Sequence, residues 1–326
     1  MTLDEYAKHM AKTYPVVWID GVPWRTTRRM LEPLAAPHTM KPVDRTKVRQ
    51  AIRETGALLA RWNDAWDTAP GEWWWLCADD PNYDVEKFPS SRGRRDVRAG
   101  LRRCEVQQVD IHWMANRGYE PYAAAMNRYG SQPKSRESFA AGIMEMDMAG
   151  SEWWACLVDG EPASWAHLIV VENTAYLSGS KSDPKHYKAR PNNAMCYVLT
   201  KKYLCNRGIK YITDGVRVLL HETQFQDFLE DMGYRRIYCP LRVELSPLAA
   251  LAIGSGLGRW GRYVGLGKLA PARLAQLQAA MRLVQVARAC RAPAQAQPAA
   301  AQAQPARGRE AADDPAAPGS EGDVGD

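Results

Sequence analysis

An aspartate standing where an apolar strand runs out is placed to act as a general base, and Asp214 is such a residue. Residues 209–213 read as a buried strand, and Asp214-Gly215 follows at its end, where open α/β sheets usually carry their sites. The same pair also reads as a plain turn or the lead into a helix. His221 and Glu222 follow closely and could shuttle a proton, or His221 could make a surface or capping contact at a helix start. HETQF lacks the second histidine of a zinc-protease HExxH, because Phe225 occupies its place, so no metal site is expected.

Upstream, Lys188, Arg190, Asn192 and Asn193 put positive charge beside a predicted helix start, with Asn192 read as its N-cap. Free N–H groups and the helix dipole favour an anion there, so the four residues form a candidate phosphate site. Lys, Arg and Pro-Asn are also routine loop and helix-entry residues. Arg94, Arg95, Arg98, Arg102 and Arg103 lie within ten residues, opposed only by Asp96. They give either a polyanion-binding face or a solvated face paired with acids elsewhere.

These groups need elements to hold them. Short strands are expected at 15–19, from Val22 onward, at 56–62 and at 73–77, with a helix after Asp44. Val97, Leu101 and Cys104, at i, i+4 and i+7, predict a basic amphipathic helix over 92–104, followed by a strand at 106–109 and helices near 115–129 and 136–148. Asp159-Gly160 and Glu172-Asn173 punctuate three strands, 153–158, 163–171 and 174–180. A helix ending at Gly208 follows, then the strand before Asp214. Phe225, Phe228, Leu229 and Met232 predict a helix stopped by Gly233, and 234–245 closes as the last strand. Trp73, Trp74, Trp75, Trp153 and Trp154 fall in strands, so at least one of each run should be partly exposed or in a groove, for sugar or base stacking or for core packing with an interfacial indole.

The run RRDVRAGLRRC, the hairpin CLVDGEPASWAHLIV and the stretch PNNAMCYVLTKKYLCNRGIKYITDG, followed by a Phe-rich helix ending in MGY, resemble the GNAT-like acyltransferases, especially the FemAB-like branch of peptidoglycan aminoacyltransferases. The resemblance covers about residues 92–245. It implies an α/β mixed sheet with flanking helices and transfer of an acyl or aminoacyl group to the amine of a sugar or peptide by direct attack. It also implies acyl-CoA or aminoacyl-tRNA as co-substrate rather than a permanently bound cofactor. Acyl-CoA enzymes of that family generally carry a glycine-bearing loop similar to Q/R-x-x-G-x-G/A. Here residues 188–194 read KARPNNA, without glycine, and the basic helix would suit tRNA. The alternative is a non-catalytic module of the same fold holding a polyanion on its basic surface.

The remaining sequence sets bounds. With 46% hydrophobic residues and 43 Lys plus Arg against 37 Asp plus Glu, the chain has the composition of a folded protein with a net charge of +6. The stretch 291–326 is rich in Ala, Pro, Gln and Gly, has no aromatic residue and carries three Arg against six acids, so the part before it holds +9. That tail is expected to be disordered. The expected units are a strand-rich lobe over 1–91, an acyltransferase domain over 92–246, and a basic helical extension over 247–290 that lies on an anionic membrane surface or a polyanion, or packs on the domain. The longest apolar stretch, 246–258, has thirteen residues and three glycines, too short to cross a bilayer. MTLDEYAKHM has neither the basic nor the apolar region of an export signal, so the cytoplasm is the expected location. Seven cysteines without a CxxC pair read as small core residues.

Overall fold

A computed structural model describes residues 1–217, 224–254 and 282–287. Thr2 accepts a hydrogen bond from the Glu5 N–H while the Glu5 carboxylate accepts one from the Thr2 N–H, and this reciprocal cap starts α1 (Leu3–Met10). Asp20-Gly21, both at positive φ, turns β1 (Val16–Ile19) into β2 (Val22–Thr27), and β3 (Met30–Pro33) follows. Asp44 caps α2 (Arg45–Thr55), and Gly56 ends it at φ 66°. Then come β4 (Leu59–Asn63), β5 (Trp74–Ala78), α3 (Ser91–Arg103), β6 (Glu105–Val109), α4 (Ile111–Arg117), α5 (Tyr119–Arg128) and α6 (Arg136–Met144). The meander of β7 (Ser151–Val158), β8 (Glu161–Val171) and β9 (Thr174–Ser182) leads through a 3-10 turn, Pro184–Ala189, into α7 (Pro191–Lys201). The chain closes with β10 (Tyr211–Val216), α8 (Gln224–Asp231), β11 (Arg235–Tyr238), β12 (Leu241–Leu245) and α9 (Pro247–Gly254).

The strands form two sheets, ordered β1-β2-β3-β4-β12 and β11-β5-β10-β9-β8-β7-β6. The mixed α/β architecture expected from the alternation of elements is present. The sheets exchange strands, which alternation cannot reveal. β5, from the part before residue 91, lies between β10 and β11, and β12 crosses to pair with β4. The single closing strand expected over 234–245 is broken at Cys239-Pro240, because proline cannot continue the ladder, and its halves serve different sheets. Likewise the helix expected over 115–129 is two helices meeting at Gly118. A Cβ there would lie 2.4 Å from the Met114 sulfur and 2.7 Å from its carbonyl oxygen.

One face of the seven-stranded sheet buries Leu76, Cys156, Ala166, Leu168 and Ile212 against α3, α7 and α8, with Met195 and Leu199 of α7 fully enclosed. Each leucine, isoleucine and methionine among these contributes about 1.5–3 kcal/mol relative to exposure. On another face Trp153 and Trp165 pack with Met114, Phe139 and Ile143 of the α4 and α6 helices. Trp153 and Trp154 therefore both lie buried, contrary to the expectation for that run, since β7 is an inner strand covered on both sides. The 73–75 run does leave Trp74 and Trp75 half-buried.

The inner face of α3 is also not the predicted one. Leu101 is exposed, and the buried positions are Gly93, Asp96, Val97 and Gly100. Two glycines let the helix sink onto its neighbours. A Cβ on Gly100 would meet the Arg190 carbonyl oxygen at 2.7 Å, and one on Gly93 the Asp231 carbonyl oxygen at 2.4 Å. Of the basic extension, α9 and the helical turn 282–287 fall within the described residues. Leu283 and Ala287 pack on Trp73, Leu241, Val243 and Leu245. The tail 291–326 and His221 lie outside the described residues. No described helix is long and apolar enough to cross a membrane.

Candidate active site

β9 and β10 run parallel, and their pairing lasts only three residue pairs, from Thr174–Tyr211 to Tyr176–Thr213. Beyond that the strands part for a local reason. On one side β9 carries an extra residue, Ser178, since His167 pairs with Gly179 while Leu168 pairs with Leu177. On the other, β10 bulges at Asp214, where its register against β5 jumps from Thr213–Cys77 to Gly215–Leu76. The buried Thr213 hydroxyl fixes this bulge. It donates to the Leu76 carbonyl at 2.8 Å and accepts from the Gly215 N–H at 2.8 Å, while Gly215 takes φ 87°.

The wedge so opened is a cleft lined by Gly179 and Ser180 of β9, Asn192, Met195 and Cys196 of α7, Phe225 of α8, and Asp214. Asp214 is therefore a bulge residue inside a strand rather than the residue beyond its end. It is half-buried, and desolvation of its carboxyl raises its pKa to about 7, against the hydrogen bond it accepts from Gln226 Nε2 at 3.3 Å. Such a carboxylate is poised near neutrality to exchange a proton. Burial pushes the neighbouring Cys196 thiol up to about 12, with the Asp214 charge adding to the shift, so this sulfur stays protonated and is a poor nucleophile.

The start of α7 forms the other end of the cleft. Its N-cap is Arg190 rather than Asn192, and no side chain caps the helix. Pro191 occupies the first position, leaving the first-turn N–H groups of Asn192 and Asn193 without intrahelical acceptors. Asn192 faces the cleft and accepts a hydrogen bond from Ser182 Oγ, whereas Asn193 is half-buried beside it. Arg190 sits at φ 64° and ψ 45°, the left-handed conformation for which glycine is the usual residue. The glycine-free loop thus reaches a glycine-like backbone at Arg190 itself. Its side chain reaches toward Asp96 at 3.8 Å, and Lys188 is exposed.

The end of α3 braces this loop. Arg103 donates to the Lys188 carbonyl at 2.8 Å, and the Cys104 thiol donates to the Ala189 carbonyl at 3.3 Å. The other arginines of that helix do not converge on the cleft. Arg94 is half-buried and bonds the Phe88 carbonyl, Arg95 pairs with Asp96 at 3.1 Å, Arg98 pairs with Glu86, and Arg102 is exposed. Ser178, Ser182, Thr213, Gln226 and the bulge they frame carry no signal in the sequence, because each is defined by a partner far along the chain. Among the described residues no group of three or more His, Cys, Asp or Glu is placed to hold a metal ion.

No family model matches the sequence, and a search of curated proteins finds no match. Solved structures do match. FemX superposes with a TM-score of 0.50 at 12% identity, covering 72% of this chain and 89% of its own. The C-terminal domain of a putative lysylphosphatidylglycerol synthetase from Agrobacterium fabrum gives 0.50 at 11%, covering 78% and 96%. The chain has a GNAT-like, FemAB-like fold. A GCN5-related N-acetyltransferase from Kribbella flavida superposes more loosely, with a TM-score of 0.41 at 12% identity over 77% of this chain and 96% of its own. Within the GNAT-like sheet, the parting strands, the bulge and the open helix start are what this chain builds from its own residues.

Proposed function

We propose that the protein transfers an acyl or aminoacyl group from a phosphate-bearing donor, acyl-CoA or aminoacyl-tRNA, to an amine of a sugar or peptide by direct attack. The observation that carries the reading is the wedge between β9 and β10, which joins a carboxyl with a pKa of about 7 to an uncapped helix N-terminus in one cleft. Donor phosphate is held by the N–H groups of Asn192 and Asn193, with Lys188 adding charge at the entrance. Backbone N–H groups of β9 beyond Tyr176, where its pairing with β10 has ended, serve as donors for the negative charge that grows on the acyl oxygen.

In the reaction the amine nitrogen forms a bond to the acyl carbon, the bond from that carbon to the donor sulfur or ribose oxygen breaks, and Asp214 takes the proton that the amine loses. The leaving group regains a proton as it departs, so Asp214 returns to its starting state through solvent. Much of the rate comes from holding amine and carbonyl in contact rather than from covalent catalysis. Fold likeness to aminoacyl and acyl transferases is compatible with both donors. The test is donor-dependent formation of an amide product with acetyl-CoA or aminoacyl-tRNA and an amino-sugar or peptide acceptor. Asp214→Asn should abolish most of the rate, by the 10²–10⁴-fold typical of general-base loss, while leaving the circular dichroism spectrum intact. Undiminished turnover in that variant would remove Asp214 from the chemistry.

A further inference from the structure

On the opposite face of the β5–β10 pair lies a second cavity. The faces follow from the pairing. Leu76 and Ile212 point into the core shared with α7, whereas Trp75 alternates to the other side, and Val216 is its direct partner. The cavity lies between the two sheets and is lined by Trp62, Trp73, Trp75, Glu32, Arg61 and Arg217 among others. The catalytic cleft uses none of these residues.

Its walls are preorganised. The Trp75 indole donates to Asn63 Oδ1 at 2.8 Å, Asn63 in turn donates to the Cys239 carbonyl at 3.2 Å, and the ring meets Trp66 and Tyr176 edge-on. Two guanidiniums share one carboxylate: Arg25 and Arg61 each reach Glu32 at 2.9 Å, which leaves net positive charge at this wall. Arg217, at the other wall, donates to the Glu72 carbonyl at 2.8 Å, lies 3.9 Å from the Glu72 carboxylate and stacks on Trp74 at 4.5 Å. Flat indoles suit the face of a ring, and fixed guanidiniums suit a carboxylate or phosphate.

We propose that this inter-sheet cavity recognises the acceptor, and that the acceptor is a small ring-bearing molecule with an anionic substituent, its ring on the indoles and its anion at Arg217 and Arg61. Naming the ligand as acceptor rests on the acyltransferase reading above. Val216 lies two residues from Asp214 on the same strand, so this cavity borders, from the face opposite the cleft, the gap where β9 and β10 part.

Isothermal titration of the full chain tests this with glucosamine 6-phosphate and phenyl phosphate as ring-bearing anions, and with glucosamine and inorganic phosphate as the two halves. The expected result is saturable binding of at least one ring-bearing anion, about tenfold tighter than either half. Arg217→Gln should weaken it by about tenfold and Arg217→Lys by less. Absence of binding by both ring-bearing anions, equal binding of inorganic phosphate alone, or an unchanged affinity in a folded Arg217→Gln variant would each overturn the proposal. Failure of the acyltransferase reading has a different signature, namely ring-anion binding that depends on Arg217 without transfer from any donor.

Discussion

Replacing Gly100 by alanine would drive a methyl group into the start of α7. The new Cβ would lie 2.7 Å from the Arg190 carbonyl oxygen and 3.1 Å from both the nitrogen and the Cβ of Ala194. These are backbone or backbone-fixed atoms, so relief requires the two helices to move apart. In an open helix the same change is favourable by up to about 1 kcal/mol. Overpacking a tight contact costs about 1–3 kcal/mol, so a net loss of about 1–2 kcal/mol is expected. Gly142 in α6 supplies the control, since a Cβ there meets nothing within 4 Å and Gly142→Ala should be neutral or stabilising. Urea unfolding reads both variants as midpoint shifts at constant slope. Donor affinity should fall in Gly100→Ala alone, because the displaced element is the helix start that holds phosphate. A Gly100→Ala protein as stable as Gly142→Ala would refute the claim that α3 presses on that start.

Asp214 has an ordinary pKa near 3.8 and one of about 7 when folded, so the native state holds the extra proton between those values. Stability should therefore fall as pH rises from about 4 to 7 through this group, and Asp214→Asn should gain stability over wild type at pH 8 but not at pH 4, as measured by urea unfolding. Transfer activity should instead rise with pH through about 7, as the carboxylate forms. Thr213→Val removes the hydroxyl that pins the bulge, leaving the Leu76 carbonyl and the Gly215 N–H without their partner. A loss of about 1–3 kcal/mol and a lower kcat are expected from unfolding and turnover measurements. Glu244, almost fully buried in β12, is bonded by Arg45 at 2.7 Å and Arg49 at 2.9 Å from α2. The pair Arg45→Met and Arg49→Met should cost about 3–5 kcal/mol by stranding that carboxylate, whereas a change under 1 kcal/mol in urea unfolding would show that it is not load-sharing.

Local signals carried the sequence reading, and non-local pairings limited it. Asp159-Gly160 marked a hairpin turn because its left-handed backbone is a property of those residues, Gly233 marked a helix end in the same way, and Asp44 marked a helix start because its carboxylate accepts from the Thr46 N–H. The capping pair Thr2 and Glu5 was equally legible as a pattern, yet α1 and β3 were not among the expected elements. The insertion of β5 beside β10 depends on two segments more than a hundred residues apart, and no periodicity reports it. Leu101 matched a helical stripe but faces solvent, because two glycines rather than a leucine bring α3 onto its neighbours. For the site, Asp214 and the α7 start were visible as residue types. The bulge that aims one and the left-handed Arg190 that opens the other belong to the folded backbone.

Calorimetric titration of the full chain with acetyl-CoA and with a hydrolysis-resistant aminoacyl-tRNA tests the central claim most directly, in wild type and in Asn192→Ala with Lys188→Ala. The expected result is saturable binding of one donor, weakened in the double variant. Heats at the level of dilution for both donors would contradict the donor site at α7, and with it the reading of this cleft as an acyltransferase centre.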